Sequence, residues 1–244
     1  MLRSAKDLAG YAILATDGKM GKINAFYFDD QSWTIRYIVA DVGGWLAEEP
    51  VLISPHSVGQ PDWHTKSLPA RLSREEIEQS LPASLREPVS VQRDKALRQE
   101  FERVAASEEH QDGPDRLPGS AIPEAKGGAA TAFVDPNLRS TEELLGYRIQ
   151  ARDGEVGYVQ DLIADDDTWT IQYLVVDTRE WLPGKKVLVA PSWIQQVRWS
   201  ERKVHVGLQC KTIEQSPAFD PSAPVNREYE VRLYDYYGRP RYWD

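Results

Sequence analysis

The chain repeats itself at a constant offset of 136 residues, and this repeat limits the fold more than any other feature. Residues 33–41 read Trp-Thr-Ile-Arg-Tyr-Ile-Val-Ala-Asp, and residues 169–177 read Trp-Thr-Ile-Gln-Tyr-Leu-Val-Val-Asp. An ungapped alignment of residues 4–80 with residues 140–216 gives 29 identities in 77 pairs. So constant a register indicates that one structural unit was duplicated.

Each copy is predicted to contain several short strands. Asp17-Gly18 in copy one and Asp153-Gly154 in copy two are tight-turn dipeptides between runs rich in β-branched and aromatic residues. Because no helical pattern falls between these runs, each copy is predicted to form a small closed sheet. The predicted strands are residues 11–15, 21–28, 33–41 and 51–54, with 63–66 and 68–72 as further candidates, and residues 147–151, 157–164, 169–177, 187–190, 199–203 and 204–208.

Helices are predicted after the strands of each copy. Ser73 and Glu76 have the spacing of a capping box, and Ser90 and Asn226 are N-cap residues at equivalent positions. Gly238 should end the last helix. The predicted fold class is therefore mainly β, with two tandem small β-barrels, each followed by short helices and joined by a flexible linker. The predicted boundaries are residues 1–104 for the first barrel and its helices, 105–137 for the linker and 138–244 for the second barrel.

Composition limits the classes of partner and compartment. The net charge is −9, and such acidity argues against a sequence-independent grip on nucleic acid. Cys210 is the one cysteine, so an intramolecular disulfide is excluded. No apolar run approaches the roughly 20 residues of a membrane-spanning helix, and the first residues lack the apolar stretch of a signal peptide. We therefore expect a cytoplasmic protein without a membrane span.

Carboxylates at equivalent places in the two copies are candidate functional groups. Asp165 and Asp166 belong to an acidic turn that matches Asp29-Asp30, while Asp41 and Asp177 end the central strands. Such groups could bind a hard cation or tune a nearby proton. The competing interpretation is structural, because aspartate side chains commonly accept hydrogen bonds from turn N–H groups.

The C-terminal segment is unusually aromatic and forms a second candidate site. Tyrosine, tryptophan and arginine are the residues that most often anchor protein interfaces. Packing of the same side chains on their own barrel is the alternative interpretation. The candidate partner-binding residues are Tyr234, Tyr236, Tyr237, Arg239, Tyr242 and Trp243.

The sequence carries no recognisable catalytic or metal-binding constellation. The four histidines are scattered, whereas a zinc site needs clustered ligands. Residues 200–203 match a bare Ser-x-x-Lys pattern without its companion motifs, and no glycine-rich phosphate loop occurs. We therefore expect a protein that is not an enzyme and that holds no cofactor or metal.

The order of motifs in each copy resembles the PRC-barrel family. An Asp-Gly-x-x-Gly turn precedes an acidic turn, a Trp-x-Ile-x-Tyr-x-Val-x-Asp strand and a short Val-Leu-x-x-Pro strand. The matching residues are Asp17, Gly18, Gly21, Tyr37, Val39, Asp41 and Pro55, and Asp153, Gly154, Gly157, Tyr173, Val175, Asp177 and Pro191. The resemblance implies a small, mostly six-stranded β-barrel that acts by binding rather than catalysis.

These expectations combine into a ranked set of functions. The first is a non-enzymatic interaction or adaptor module with an unidentified protein partner and a tendency to form homodimers. The second, implied by the family's namesake, is a protein similar to the photosynthetic reaction-centre H subunit that modulates electron transfer at a membrane surface. The third, implied by a related barrel in a ribosome maturation factor, is a role in RNA processing or ribosome assembly.

Overall fold

The computed structural model describes residues 1–43, 49–86, 88, 135–178 and 185–244. Several predicted features lie outside these residues: Trp45, Trp181, the helix after Ser90, and residues 105–134 of the predicted linker. The domain boundaries therefore stay predictions.

Two sheets, one for each copy, make the described structure mainly β, as predicted. The first sheet has the order β5-β4-β3-β2-β6 and the second β11-β10-β9-β8-β13-β12; in neither does a described ladder join the two end strands. The strands are β1 Leu2–Ser4, β2 Ala12–Ala15, β3 Gly18–Asp29, β4 Ile35–Asp41, β5 Val51–Ile53, β6 Ser67–Pro69, β7 Leu138–Ser140, β8 Arg148–Ala151, β9 Gly154–Asp165, β10 Ile171–Asp177, β11 Lys186–Val189, β12 Ile194–Arg198 and β13 Lys203–Val206.

The described helices are short, and two of them begin at the predicted caps Ser73 and Asn226. Ser73 and Glu76 form the expected reciprocal capping box. The Asn226 side chain accepts a hydrogen bond from the Tyr229 N–H at 2.9 Å, and Gly238 ends that helix in the left-handed conformation with φ 59°. No described helix has the length and apolar character needed to cross a membrane. The helices are α1 Ala5–Leu8, α2 Arg74–Glu78, α3 Thr141–Leu144, α4 Cys210–Glu214 and α5 Arg227–Tyr237.

The predicted strand over residues 199–203 is wrong in its first part. Trp199–Glu201 form a 3-10 turn, and Arg202 has φ 54°, which breaks the extended backbone. The strand that precedes this turn, β12, was not predicted. Trp33 and Trp169 likewise have positive φ values of 57° and 53°, so β4 and β10 begin two residues later than predicted.

The first strand of each copy belongs to the sheet of the other copy. β1 pairs antiparallel with the end of β9, with Ser4 opposite Ile163. β7 pairs in the same way with the end of β3, with Ser140 opposite Tyr27. The exchanged strands have the same sequence, Leu-Arg-Ser. The two copies are therefore joined by a reciprocal strand exchange.

A second pair of equivalent contacts joins the copies where β4 and β10 begin. The Ile35 N–H donates to the Trp169 carbonyl oxygen at 2.7 Å, and the Ile171 N–H donates to the Trp33 carbonyl oxygen at 2.8 Å. One cluster of buried apolar side chains extends through both copies. Together these contacts make the two copies a packed pair with approximate twofold symmetry.

Two glycines allow β3 and β9 to approach the ends of the neighbouring strands. Gly21 has φ +68° and Gly157 has φ +135°. A Cβ atom at Gly21 would overlap the Asp41 carbonyl oxygen, and one at Gly157 would overlap that of Asp177. Both positions therefore require glycine for conformation and for space.

Candidate functional site

A groove of about 610 Å³ lies where the two copies meet, and we call it the junction groove. Copy one contributes its acidic turn, whereas copy two contributes the start of β10, the strand β12 and the end of the chain. Its defining residues are Trp33, Gln172, Gln195, Gln196, Trp199 and Tyr242.

The two tryptophans of the junction groove are fixed by their neighbours. The positive φ of Trp33 places its ring in a stacked arrangement with Phe28, with the ring centroids 5.4 Å apart. Trp199 has the Arg139 guanidinium 4.4 Å from its ring centroid and meets Tyr147 edge-on. Both indole rings are half-buried, so each presents a rigid aromatic wall.

The described lining of the junction groove is almost free of net charge. Its one ionised side chain is Asp30, and this carboxylate accepts a 3.1 Å hydrogen bond from the largely buried guanidinium of Arg139. The remaining polar groups are amides and hydroxyls, such as those of Gln195 and Gln196. Such a lining can hydrogen-bond and stack.

A smaller groove of about 390 Å³ occupies the symmetry-related position, and we call it the counterpart groove. Trp169 and Gln60 take the places of Trp33 and Gln196. Its lining is charged, however, with Arg71, Asp166 and Asp167 among its residues, and the Gln60 amide donates a hydrogen bond to Asp167. One framework thus carries two grooves of different chemistry.

The predicted aromatic tail packs mainly on the second copy. The Trp193 ring lies 5.4 Å from that of Tyr234 and 4.4 Å from that of Tyr237. Tyr234 is buried, and Tyr237 and Trp243 are half-buried. In contrast, Arg239 is exposed, and the exposed fractions of Tyr236 and Tyr242 are 40% and 44%. Tyr242 therefore combines a hydrogen-bonded hydroxyl with a ring that lines the junction groove.

A buried carboxylate, Glu230, attaches the tail to the barrel. The hydroxyls of Tyr173 and Tyr242 each donate to Glu230 Oε1 at 2.8 Å, and the Arg227 guanidinium lies 3.0 Å from Oε2. Burial raises the pKa of both tyrosines above their ordinary value. The two phenols are therefore neutral donors at physiological pH.

Replacing Glu230 with alanine should lower the free energy of unfolding by about 3 kcal/mol, because the buried Tyr173 hydroxyl would lose its acceptor. Residues 239–243 should also gain faster amide hydrogen exchange, since Tyr242 would lose its anchor. Urea unfolding and hydrogen exchange of the full chain would measure both effects. The matched control is Glu228→Ala at an exposed position of the same helix. Equal effects of the two substitutions would contradict the assigned role of Glu230.

The structure brings two of the four candidate carboxylates, Asp165 and Asp166, together in the acidic turn after β9. Asp165 accepts hydrogen bonds from the N–H groups of Asp167 and Thr168, both at 2.9 Å. Partial burial acts to raise the pKa of Asp165, but these donors hold it below its ordinary value. Asp166 is buried and accepts a 3.0 Å hydrogen bond from Arg3. Arg3 and Asp166 are the equivalents of Arg139 and Asp30.

The remaining two candidate carboxylates lie at the ends of β4 and β10. Asp41 is exposed, and its side chain accepts a hydrogen bond from the Gly43 N–H at 3.3 Å. Asp177 is fully buried, and the Tyr158 hydroxyl lies 3.4 Å from its carboxylate. The contacts of Asp165, Asp166 and Asp41 agree with structural roles in turns and between copies.

One informative carboxylate, Asp161, was missed by the sequence analysis. It accepts hydrogen bonds from the Ser4 hydroxyl and from the N–H groups of Lys6 and Leu162, so it fixes the exchanged β1 strand and α1 to β9. Burial raises the pKa of Asp161 above its ordinary value, although these donors oppose the shift. Its equivalent in copy one is Ala25, so the repeat gave no signal at this position.

The raised pKa of Asp161 predicts a defined pH dependence. As pH rises from about 3.8, the folded protein holds this proton longer than the unfolded chain, so the contribution of Asp161 to stability declines. The stability of Asp161→Asn relative to the natural sequence should therefore rise with pH across this window, as measured by urea unfolding. Asp17→Asn is a control of opposite sign, because the Arg74 N–H lowers the pKa of Asp17. If the stability difference between Asp161→Asn and the natural sequence did not change with pH, the raised pKa of Asp161 would be contradicted.

Comparison with known families agrees with this architecture. Residues 2–64 match the family model of the PRC-barrel domain, so the first copy contains a PRC-barrel domain and the resemblance seen in the sequence is confirmed there. This stretch begins with the exchanged strand β1 and extends past β5. No curated protein matches the chain.

Proposed function

We propose that the protein is a non-catalytic binding module that recognises a protein partner through the junction groove. The observation on which this depends is the lining of the groove: rigid aromatic rings and neutral amides, contributed by both copies. Aromatic anchors beside hydrogen-bonding groups are typical of protein interfaces. The PRC-barrel domain in copy one is compatible with such a role.

We further propose that the second copy is a diverged PRC-barrel domain. Apart from β12, its strands follow the same order as those of copy one, and residues 4–80 align with residues 140–216 without a gap. Individual groove residues differ between the copies: Gln31 corresponds to Asp167, and Ser192 corresponds to His56. Duplication thus supplied two related grooves, of which only the junction groove is neutral.

A photo-crosslinking experiment tests the binding surface. A benzophenone amino acid would replace Gln196 in the full chain, and the matched control would carry it at the equivalent position, Gln60. Both positions are exposed. After irradiation in a lysate of the source cells, crosslinked proteins would be identified by mass spectrometry, purified and mixed again with the chain.

A partner that crosslinks at position 196 and not at position 60, and that binds again in purified form, would support the proposal. A partner that crosslinks equally at both positions would place recognition outside the junction groove. Turnover of a small molecule by the purified chain, abolished by a substitution in the junction groove, would overturn the non-catalytic assignment.

A further inference from the structure

We propose that the partner binds as an extended, uncharged segment that adds a strand to the outer edge of β12. This inference rests on the proposed function and specifies the kind of partner that the junction groove recognises. Strand addition requires a sheet edge whose main-chain groups are accessible, with a groove beside it for side chains. The described sheets meet both requirements in one place.

The other ends of the two sheets are covered by the chain itself. The Leu52 N–H on β5 donates to the Leu81 carbonyl oxygen at 2.8 Å, and the Phe219 N–H donates to the Lys186 carbonyl oxygen of β11, also at 2.8 Å. The Gly59 N–H likewise donates to the carbonyl oxygen of Pro69 in β6. Among the described strands, β12 pairs only with β13, so its opposite edge has no described strand beside it.

The equivalent edge in copy one is blocked. Residues 58–62 correspond to β12 but form isolated bridges instead of a strand. Pro61, which has no N–H group, takes the place of Val197. The Gln60 side chain is hydrogen-bonded to Asp167 across the counterpart groove. β12 contains no proline, so every N–H group that points away from β13 is available to a partner strand.

The chemistry of the groove selects an uncharged segment. Gln195 and Gln196 are exposed on β12, and the carboxylate of Asp30 is already neutralised by Arg139. A charged side chain entering this groove would lose water without gaining an opposite charge. An acidic segment would also be repelled by a chain of net charge −9. Amide or hydroxyl side chains, with one apolar residue against Trp33 or Tyr242, fit the lining.

The test begins with a displayed library of random octapeptides selected on the full-length chain. The tightest binder would be synthesised with a single N-methyl group at each position in turn, because N-methylation removes one main-chain donor and leaves the side chain in place. Strand addition predicts an alternating result: at least tenfold weaker binding at every second residue and little change between them. Amide hydrogen exchange of β12 should also slow on binding.

Strand addition would be overturned if N-methylation were tolerated at every position of the peptide. It would also be overturned if the peptide slowed amide hydrogen exchange of other groove residues but not of β12. Either result would leave the proposed function intact. Failure of any peptide to bind, together with the absence of a crosslink at position 196, would overturn both. Gln196→Lys should weaken the peptide at least tenfold, whereas Gln60→Lys in the counterpart groove should not. Equal weakening by both would also overturn the assignment to β12.

Discussion

Replacing Gly157 with alanine should lower the free energy of unfolding by about 3 kcal/mol or more. Two effects add. The φ of +135° is one that side-chain-bearing residues rarely adopt, and the new Cβ atom would overlap the Asp177 carbonyl oxygen. Neither effect can be relieved without separating β9 from the end of β10, where Asp177 lies opposite Tyr158. Urea unfolding of the full chain would measure the loss.

Gly146→Ala provides the matched control for this prediction. Gly146 also has a positive φ, +81°, but an added Cβ atom would have no neighbour within 4 Å. The Gly146→Ala substitution should lower the free energy of unfolding by only about 1 kcal/mol, the ordinary cost of placing alanine in the left-handed conformation. A Gly157→Ala variant no less stable than Gly146→Ala would show that β9 and β10 are not held as closely as described.

Replacing Arg139 with alanine should cost about 3–5 kcal/mol, because it leaves the Asp30 carboxylate largely buried without its partner. The exposed fractions of the two side chains, 12% and 9%, decide the expected size, since exposed ion pairs contribute little. The variant would also remove the cation–π contact with Trp199. Thermal and urea unfolding of the full chain would record the effect.

Arg198→Ala is the control, because the Arg198–Glu201 pair is exposed and its loss should change stability by less than about 1 kcal/mol. A double variant, Arg139→Ala with Asp30→Asn, should recover part of the loss by removing the stranded charge. A single Arg139→Ala variant as stable as Arg198→Ala would contradict the buried pairing between the copies.

Local features of the fold were predictable because they depend on short stretches of sequence. The capping box at Ser73 and the helix stop at Gly238 follow from neighbouring residues alone. The strands β4 and β10 follow from their β-branched and aromatic composition. Their start was misplaced because composition does not reveal the left-handed turns at Trp33 and Trp169. At both positions the tryptophan carbonyl oxygen accepts a hydrogen bond from the other copy, and this tertiary contact is not visible in the local sequence.

The strand exchange was not predictable from the repeat, because both exchanged strands read Leu-Arg-Ser and both acceptor turns contain Asp-Asp. Pairing within a copy and pairing between copies therefore give the same local pattern. The sequence did contain a signal for the difference between the grooves, because Pro61 occupies the position equivalent to Val197. The strand β12 itself was not predicted. The aromatic tail was identified, whereas its anchor Glu230 was not, since that role depends on tertiary contacts with Tyr173.

The exchanged strand β7 has a consequence for the order of events during synthesis. Arg139 follows its partner Asp30 by 109 residues, which corresponds to roughly 5–20 s of translation. During that interval the nascent first copy has an open β3 edge and an unneutralised carboxylate. The first copy is therefore completed only when the second begins to emerge, and the two copies mature as one cooperative unit rather than in sequence.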